Sequence, residues 1–362
     1  YDGNPHAYTN LTVAGFVVGE GLSSTSDWAT VTDVAEGQVG NAFAYTLKDN
    51  TLSQNYVITV TTGKVAVVAA PVVPKDPSGP ADNPSDKPTG ADGVTLWARN
   101  VVKMYDGVGT NVVPLVYNAV EGNAFTYEYS TNEVDWVSDL AFTNVVAAQK
   151  VYFRAVPQGT TPNYVGTNGF AFVTITNRPT TITFAAADKV YDATVAATCT
   201  ATNFENLVSG EGFALDTSPM SFSFDTPDAG SGKTVTATGY ADTLVIPLGD
   251  ALASNYAFTF VETTTAAITR GRQTVASSPY SGVYDGEGHT IAVTQEGGTV
   301  TYLVDGSWVP DAPLYTNKVE ATDVVFRVTR DNFETFEGTN TVTVTPRPAT
   351  LASGSRTWTY DG

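Results

Sequence analysis

Short runs in which apolar and polar residues alternate recur along the whole chain. Val57-Ile58-Thr59-Val60-Thr61, Val151-Tyr152-Phe153-Arg154 and Val342-Thr343-Val344-Thr345 each repeat with a period of two. That period turns one face of a strand to a core and the other to water. Their β-branched and aromatic residues suit a pleated, half-buried surface. No stretch holds a helical period long enough for a long amphipathic helix, so at most a short helix per domain fits the pattern. The alternation predicts an all-β chain, mainly antiparallel.

Laid over the strands is a longer period. Tyr-Asp-Gly occurs at Tyr1, Tyr105, Tyr284 and Tyr360, and Tyr191-Asp192-Ala193 fills the gap. These intervals match the size of small domains. Two repeat types alternate. In the first type, Gly19-Glu20-Gly21 and Ser53-Gln54-Asn55-Tyr56 match Gly210-Glu211-Gly212 and Ala253-Ser254-Asn255-Tyr256. In the second, Thr126-Tyr127 matches Thr301-Tyr302, Val151–Arg154 matches Val324–Arg327, and Asn163-Tyr164 matches Asn332-Phe333. The expected layout is a first-type repeat at 1–70 that lacks its first strand, a linker at 71–93, and a second-type repeat at 94–178. A first-type repeat at 179–270, a second-type repeat at 271–348 and the first strand of a further repeat at 349–362 complete it. The fold expected is a tandem, elongated array of four small β domains, Ig-like sandwich or β-grasp-like.

The linker carries prolines at 71, 74, 77, 80, 84 and 88 and is expected to be extended, outside any sheet. The other joints, such as Thr174–Ile182, run from strand to strand with little slack, which restricts motion between domains. The chain begins and ends at Tyr-Asp-Gly and has no signal peptide or wall anchor, which reads as an internal fragment of a longer protein. Ala349 to Gly362 looks like an unused first strand. One molecule's tail is therefore expected to complete the first domain of another, giving head-to-tail association.

Charge narrows the function. With 37 acidic and 18 basic residues the formal charge is −19, which excludes nucleic acid and anionic lipid as partners. Charged residues are only 15% of the chain, so Thr, Ser, Asn and Gly carry the polar surface, as in secreted β proteins. No apolar run is long enough to insert in a membrane. The single cysteine, Cys199, lies in an alternating stretch and is expected to be a buried, inert thiol with no disulfide.

Asp-Gly favours a tight hairpin turn, because Gly tolerates positive φ and Asp bonds its own backbone. Tyr105-Asp106-Gly107, Tyr284-Asp285-Gly286 and Tyr191-Asp192 are thus expected to be structural turns, the Tyr ring covering the core edge. Ala193 predicts a turn of another type or length. Recurrent Tyr-Asp-Gly, an Asn-Tyr before the last strand and a Thr/Ile-rich final strand resemble the YDG and MBG repeat domains of large bacterial surface proteins and adhesins. The resemblance implies an extracellular, cell-surface stalk or adhesin of small β-rich domains, without catalytic residues.

No residue pattern points to catalysis, a cofactor or a metal. His6 and His289 have no Cys partner and read as turn residues. Gly230-Ser231-Gly232-Lys233-Thr234 lacks the leading Gly of a phosphate loop, since Pro227 stands there. Asp216, Asp225 and Asp228, and Asp82 and Asp86, lack Ca²⁺-loop spacing and read as solvated turns. Lys150, Lys189 and Lys318 are the lysines considered for an isopeptide link. The candidate ligand contacts are Trp136 and Trp308, in comparable places of the two second-type repeats, where an indole can stack on a sugar. A host glycan or an extracellular matrix protein is the partner they would suit. The bland alternative makes both core residues.

Overall fold

The computed structural model describes residues 1–81 and 87–361. Among these the only helical pieces are three-residue 3₁₀ turns, such as Ser53–Asn55 and Ala253–Asn255; everything else regular is strand. The β-grasp alternative needs a helix laid across its sheet and drops out.

The chain divides into two compact units. The first holds Tyr1–Pro179 with Val208–Gly210 and Leu252–Ala257. Near its start β1 (Leu22–Ser26) pairs antiparallel with β2 (Ala44–Leu47). The second-type repeat follows, with β3 (Thr95–Ala98), β4 (Val101–Met104), β5 (Pro114–Tyr117), β6 (Phe125–Ser130), β7 (Val146–Pro157) and β8 (Thr167–Thr176). β3 pairs with β5, and the chain then kinks so that β4 joins the other sheet, of order β6-β7-β8-β4, parallel to β8. Asn100 fixes the kink: its Oδ1 accepts the Phe172 N–H at 2.8 Å and its Nδ2 donates to Gly79 O at 2.9 Å. Val151, Phe153 and Ala155 of β7 meet Ala171, Val173 and Ile175 of β8, each at most 2% exposed. Their spacing of two is the alternation seen in the sequence.

The linker departs from expectation, because it does pair. Ala70–Pro71 lies parallel to Tyr164–Val165, and Val73–Pro74 lies parallel to Thr95–Leu96. The donors are Ala70, Val72, Val73 and Lys75, so Pro71 and Pro74 fall where no N–H is needed. Pro84 lies outside the described residues.

The second unit holds Thr180–Leu207, Glu211–Ala251 and Phe258–Gly362. Its first part uses β9 (Arg178–Ala186), β10 (Cys199–Glu205), β11 (Gly212–Leu215), β12 (Ser221–Phe224), β13 (Gly230–Thr238), β14 (Val245–Leu248), β15 (Tyr256–Phe260) and β16 (Thr263–Thr269). One sheet has the order β10-β9-β15; a second places Lys189–Val190 beside β16, then β13 and β12; β11 and β14 form a ribbon. Phe224, Val235, Ala266 and Ile268 form a core, with Phe222 and Tyr191 packed against it. Cys199 opens β10 and is half-buried rather than buried, its thiol directed at Ala201 O.

The second part has β17 (Val275–Ser278), β18 (Tyr280–Val283), β19 (Ala292–Gln295), β20 (Thr299–Val304), β21 (Ser307–Val309), β22 (Val319–Thr329) and β23 (Phe336–Thr345). The sheet β18-β23-β22-β20-β21 covers a core of Ile291, Val324, Phe326, Val328, Val342 and Val344, closed by Val275 and Val293 of the β17-β19 pair. Phe326 stands opposite Gly338, and a Cβ there would lie 2.6 Å from the ring. The Phe153–Gly169 pair repeats this arrangement. Each glycine leaves space for its neighbour's ring.

Val57–Thr61 alternates like a strand but is unpaired among the described residues. In the first-type repeat that follows, the corresponding β15 borders β9.

Candidate functional site

The Tyr-Asp-Gly motif is a turn of one kind in all four described repeats. The Asp Oδ1 accepts the backbone N–H two residues on: Asn4 from Asp2, Val108 from Asp106, Thr194 from Asp192 and Glu287 from Asp285, each at 2.9 Å. The residue after Asp has φ of 80°, 76°, 62° and 92° at Gly3, Gly107, Ala193 and Gly286. Two expectations need correction. The turn does not make a hairpin, because the strand before it pairs parallel with the last strand of its repeat, as β4 does with β8 and β18 with β23. Ala193 does not change the turn; it takes the same left-handed conformation at a steric cost.

Each aspartate has a second, cationic or imidazole neighbour. Lys103 and Lys189 reach Asp106 and Asp192 from three residues before, at 2.5 and 2.7 Å. His6 and His289 reach Asp2 and Asp285 from four residues after, at 2.8 and 2.9 Å. The histidines are therefore turn residues that exchange roles with the lysines. Lys189 first and the Thr194 N–H next hold the Asp192 carboxyl down at about 2. For Asp2 the Asn4 N–H comes first and His6 second, again giving about 2. Lys103 lowers Asp106, and His289 lowers Asp285.

The tyrosine meets a partner that sequence reasoning had separated from it. Tyr1 packs edge-on against Tyr164, Tyr105 against Tyr256 and Tyr191 against Phe333, with centroids 5.5, 5.5 and 5.4 Å apart and planes at 87°, 76° and 75°. The first two pairs lie within the first unit and the third within the second. The asparagine before each partner ring closes the contact. Asn163 accepts from Val34 N–H, Asn255 from Val145 N–H and Asn332 from Ala229 N–H, each at 2.9 Å. Their Nδ2 groups donate to Asp33, Asn144 and Asp228 at 2.9, 3.0 and 2.9 Å. Tyr164 and Tyr256 hydroxyls accept the N–H of Val120 and Val208. Those valines lie against the glycines of the turn: a Cβ on Gly3 would sit 2.8 Å from Val120 Cγ1, and one on Gly107 3.0 Å from Val208 Cγ1. The unit is thus a clasp of turn and socket, made three times. The repeat markers Asn55-Tyr56, Asn163-Tyr164, Asn255-Tyr256 and Asn332-Phe333 were legible; what they bind was not. Their appearance once per repeat, as often as Tyr-Asp-Gly itself, was the available signal.

At Tyr284 the turn has no socket among the described residues, and the ring is 40% exposed, against 3% for Tyr105.

Trp136 and Trp308 are not core residues. Each is half-buried beside the outer hairpin strand, next to the Tyr129–Val137 and Tyr302–Val309 pairings. Arg154 lies 4.6 Å from the Trp136 ring and Arg327 lies 4.0 Å from the Trp308 ring. The pairings equate Tyr129 with Tyr302, so the sequence match at Tyr127 was two residues out of register. The correct register explains the acids. Arg154 pairs with Glu128 across one neighbouring strand, whereas Arg327 pairs with Glu337 across the other. The result at both places is a stacked Trp–Arg with a carboxylate beside it.

The remaining candidates have these surroundings. Gly230–Thr234 lies in β13, with Lys233 paired to Asp225 at 3.0 Å. Asp216 accepts the Ser218 N–H, and Asp228 serves the Asn332 clasp. Asp82 and Asp86 lie outside the described residues. Lys150 lies over the Phe170 ring and Lys318 pairs with Glu320. Among the described residues no three metal-ligating side chains cluster, and no helix is long and apolar enough to cross a membrane.

No curated protein matches the sequence. Among solved structures, a bacterial ice-binding adhesin is similar over 70% of this chain and 99% of its own, at 11% identity and a TM-score of 0.29. A Ca²⁺-stabilised ice-binding adhesin of an Antarctic bacterium is similar over 71% of this chain and 75% of its own, at 13% identity and a TM-score of 0.30. Mouse cadherin-23 EC22–24 is similar over 72% and 98%, at 16% identity and a TM-score of 0.23. The family model for the YDG domain matches residues 176–266, the stretch that holds the Asp192 turn and the Asn255-Tyr256 socket. Residues 176–266 thus match the YDG domain, and the chain around them is all-β.

Proposed function

We propose that this chain is a non-enzymatic, extracellular part of a bacterial surface protein, and that its repeats act as a stalk or adhesin scaffold. The observation that carries this reading is the clasp. Three copies of one polar and aromatic contact hold a turn of one repeat in a socket formed with residues of the next. Such joints resist bending and transmit load, which a spacer needs and a catalyst does not. The layout of repeats at 1–70, 94–178, 179–270 and 271–348 belongs to the same proposal, as does head-to-tail association through the tail.

A second reading rests on Trp136 and Trp308. Both rings are partly exposed and equivalently placed, and each is held flat by an arginine, which suits stacking on a host glycan or a matrix-protein side chain. The test is binding of the folded chain to mucin, a glycan array and matrix proteins. Saturable binding that Trp136→Ala or Trp308→Ala abolishes, at unchanged stability, establishes the second reading. No binding by folded protein supports the scaffold alone.

A further inference from the structure

The two second-type repeats differ at one place beside the clasp. In the repeat of Tyr164, Phe125 stands opposite Pro157 and Thr126 opposite Val156. With Phe153 and Phe326 equated, Thr299 opposite Thr329 is the corresponding pair, so Gly298 replaces Phe125 and Arg330 replaces Pro157. The Phe125 ring packs against Tyr164 with centroids 5.7 Å apart and fills the space beside that clasp. At Phe333 the filling ring is absent. The chain from Arg330 to Asn332 is also four residues shorter than the chain from Pro157 to Asn163. A cleft of about 870 Å³ takes the place of the ring, and all of it lies within the second unit.

The cleft is polar. Arg270, Arg330, Asp331, Thr299 and Thr329 line it. Arg154, Arg272 and Arg327 each hold a carboxylate, whereas Arg270 and Arg330 hold none among the described residues. The Arg330 guanidinium lies 4.1 Å from the Phe333 ring centre, a contact that orients it without using its N–H groups. Gly297 and Gly298 have φ of 111° and 88°. A Cβ on Gly298 would lie 2.5 Å from Thr329 O and 3.0 Å from Arg330 Cβ, so this glycine keeps the wall beside the arginine bare.

We propose that this cleft binds a sugar carboxylate, the acid group of a sialic or uronic acid residue in a glycan. A planar carboxylate matches the fork of a guanidinium, which grips it through two parallel hydrogen bonds. The Thr299 and Thr329 hydroxyls and the Asp331 carboxylate suit sugar hydroxyls, which donate and accept. The volume falls in the range of about 300–1,000 Å³ typical of small-ligand sites, but the apolar walls of such sites are missing, which favours a sugar over a lipid or an apolar side chain. The formal charge of −19 does not prevent this. Salt screens exposed carboxylates beyond about 8 Å at physiological ionic strength, and one acid group, unlike a polyanion, needs only the local arginines. The site is separate from Trp136 and Trp308 and goes beyond both readings above.

The experiment is titration of the full chain with sialyllactose, with a disaccharide of glucuronic acid and N-acetylglucosamine, and with lactose, followed by saturation-transfer NMR and calorimetry. At least one acidic sugar should bind and lactose should not, and the one that binds identifies the source of the carboxylate. Arg270→Gln and Arg330→Gln should each weaken binding about tenfold to a hundredfold by removing charge-assisted hydrogen bonds. Arg270 is exposed, so its change leaves the fold intact even if Arg330→Gln disturbs the Phe333 contact. Trp136→Ala and Trp308→Ala should leave the affinity unchanged. Equal binding of lactose, no binding of either acidic sugar, or binding that ignores both arginine changes overturns the proposal. So does binding lost only in the tryptophan variants at unchanged stability, which assigns the sugar to the second reading instead. None of these failures touches the scaffold reading.

Discussion

Asn255→Ala tests whether the clasp is an energetic unit. Asn255 is 1% exposed and is bonded on both sides of its amide, to Val145 N–H and to Asn144 Oδ1. Alanine removes both bonds and leaves the partly buried Val145 N–H without its acceptor. Each hydrogen bond contributes about 1 kcal/mol net, and an orphaned buried donor costs about 1–3 kcal/mol. The expected loss is therefore about 2–3 kcal/mol. Urea unfolding followed by tryptophan fluorescence reads the loss, and hydrogen exchange at Val145 locates it. Asn55→Ala is the internal control. It changes the equivalent residue of the first repeat, which is exposed, and in the monomer it should cost less than about 0.5 kcal/mol. Equal costs at the two positions, or an unchanged exchange rate at Val145, would refute the idea that the amide ties the turn to its socket.

Acid should loosen the turns. The carboxyls of Asp2 and Asp192 are held at about 2, below the unfolded value near 3.9. Their contribution is complete above the unfolded value and is lost as pH falls through about 2. The thermal midpoint should decline over that window, and Asp192→Asn should flatten the decline, because Asn keeps the turn bond but has no charge to lose; an equally steep decline argues against the assignment. Gly338→Ala places a Cβ 2.6 Å from the Phe326 ring and should cost about 1–3 kcal/mol in urea, with an unchanged midpoint as the contrary result. Ala193→Gly relieves a left-handed alanine with φ of 62°. It should gain up to about 1 kcal/mol after the entropy of the unfolded glycine is counted, and a loss would mean that the methyl packs usefully.

The strands were legible because one face of each is dry. Val151, Phe153 and Ala155 alternate with polar or half-exposed neighbours, and that alone fixes both the element and its inner face. The turns were partly legible. Asp and Gly announced a bend, but local chemistry could not tell a hairpin from a bend that follows a parallel strand, since the difference lies in Thr176 and Thr345, far along the chain. The linker was misread for a related reason: proline forbids one donor, not a strand, and Pro71 and Pro74 sit where the donor is not used. Trp136 and Trp308 were found as equivalent positions, yet their arginine neighbours come from a strand roughly twenty residues later, which no local pattern reports. Val57–Thr61 has the pattern of a strand without the pairing, which shows that alternation specifies a face and not a partner.

The third clasp shows how its parts depend on one another. Where Tyr164 and Tyr256 offer a hydroxyl to a valine N–H, Phe333 has none, and where Gly3 and Gly107 leave space for that valine, the turn carries Ala193. A missing hydroxyl and an added methyl thus occur on the two sides of one contact. The ring pair and both asparagine bonds persist unchanged at Tyr191, Phe333 and Asn332. Arg330 covers Phe333 at 4.1 Å, a neighbour suited to an aromatic face rather than a hydroxyl. The parts common to all three sites are therefore the edge-on rings, the bidentate asparagine and the aspartate turn. The tyrosine hydroxyl and the glycine are both present at the first two sites and both absent at the third.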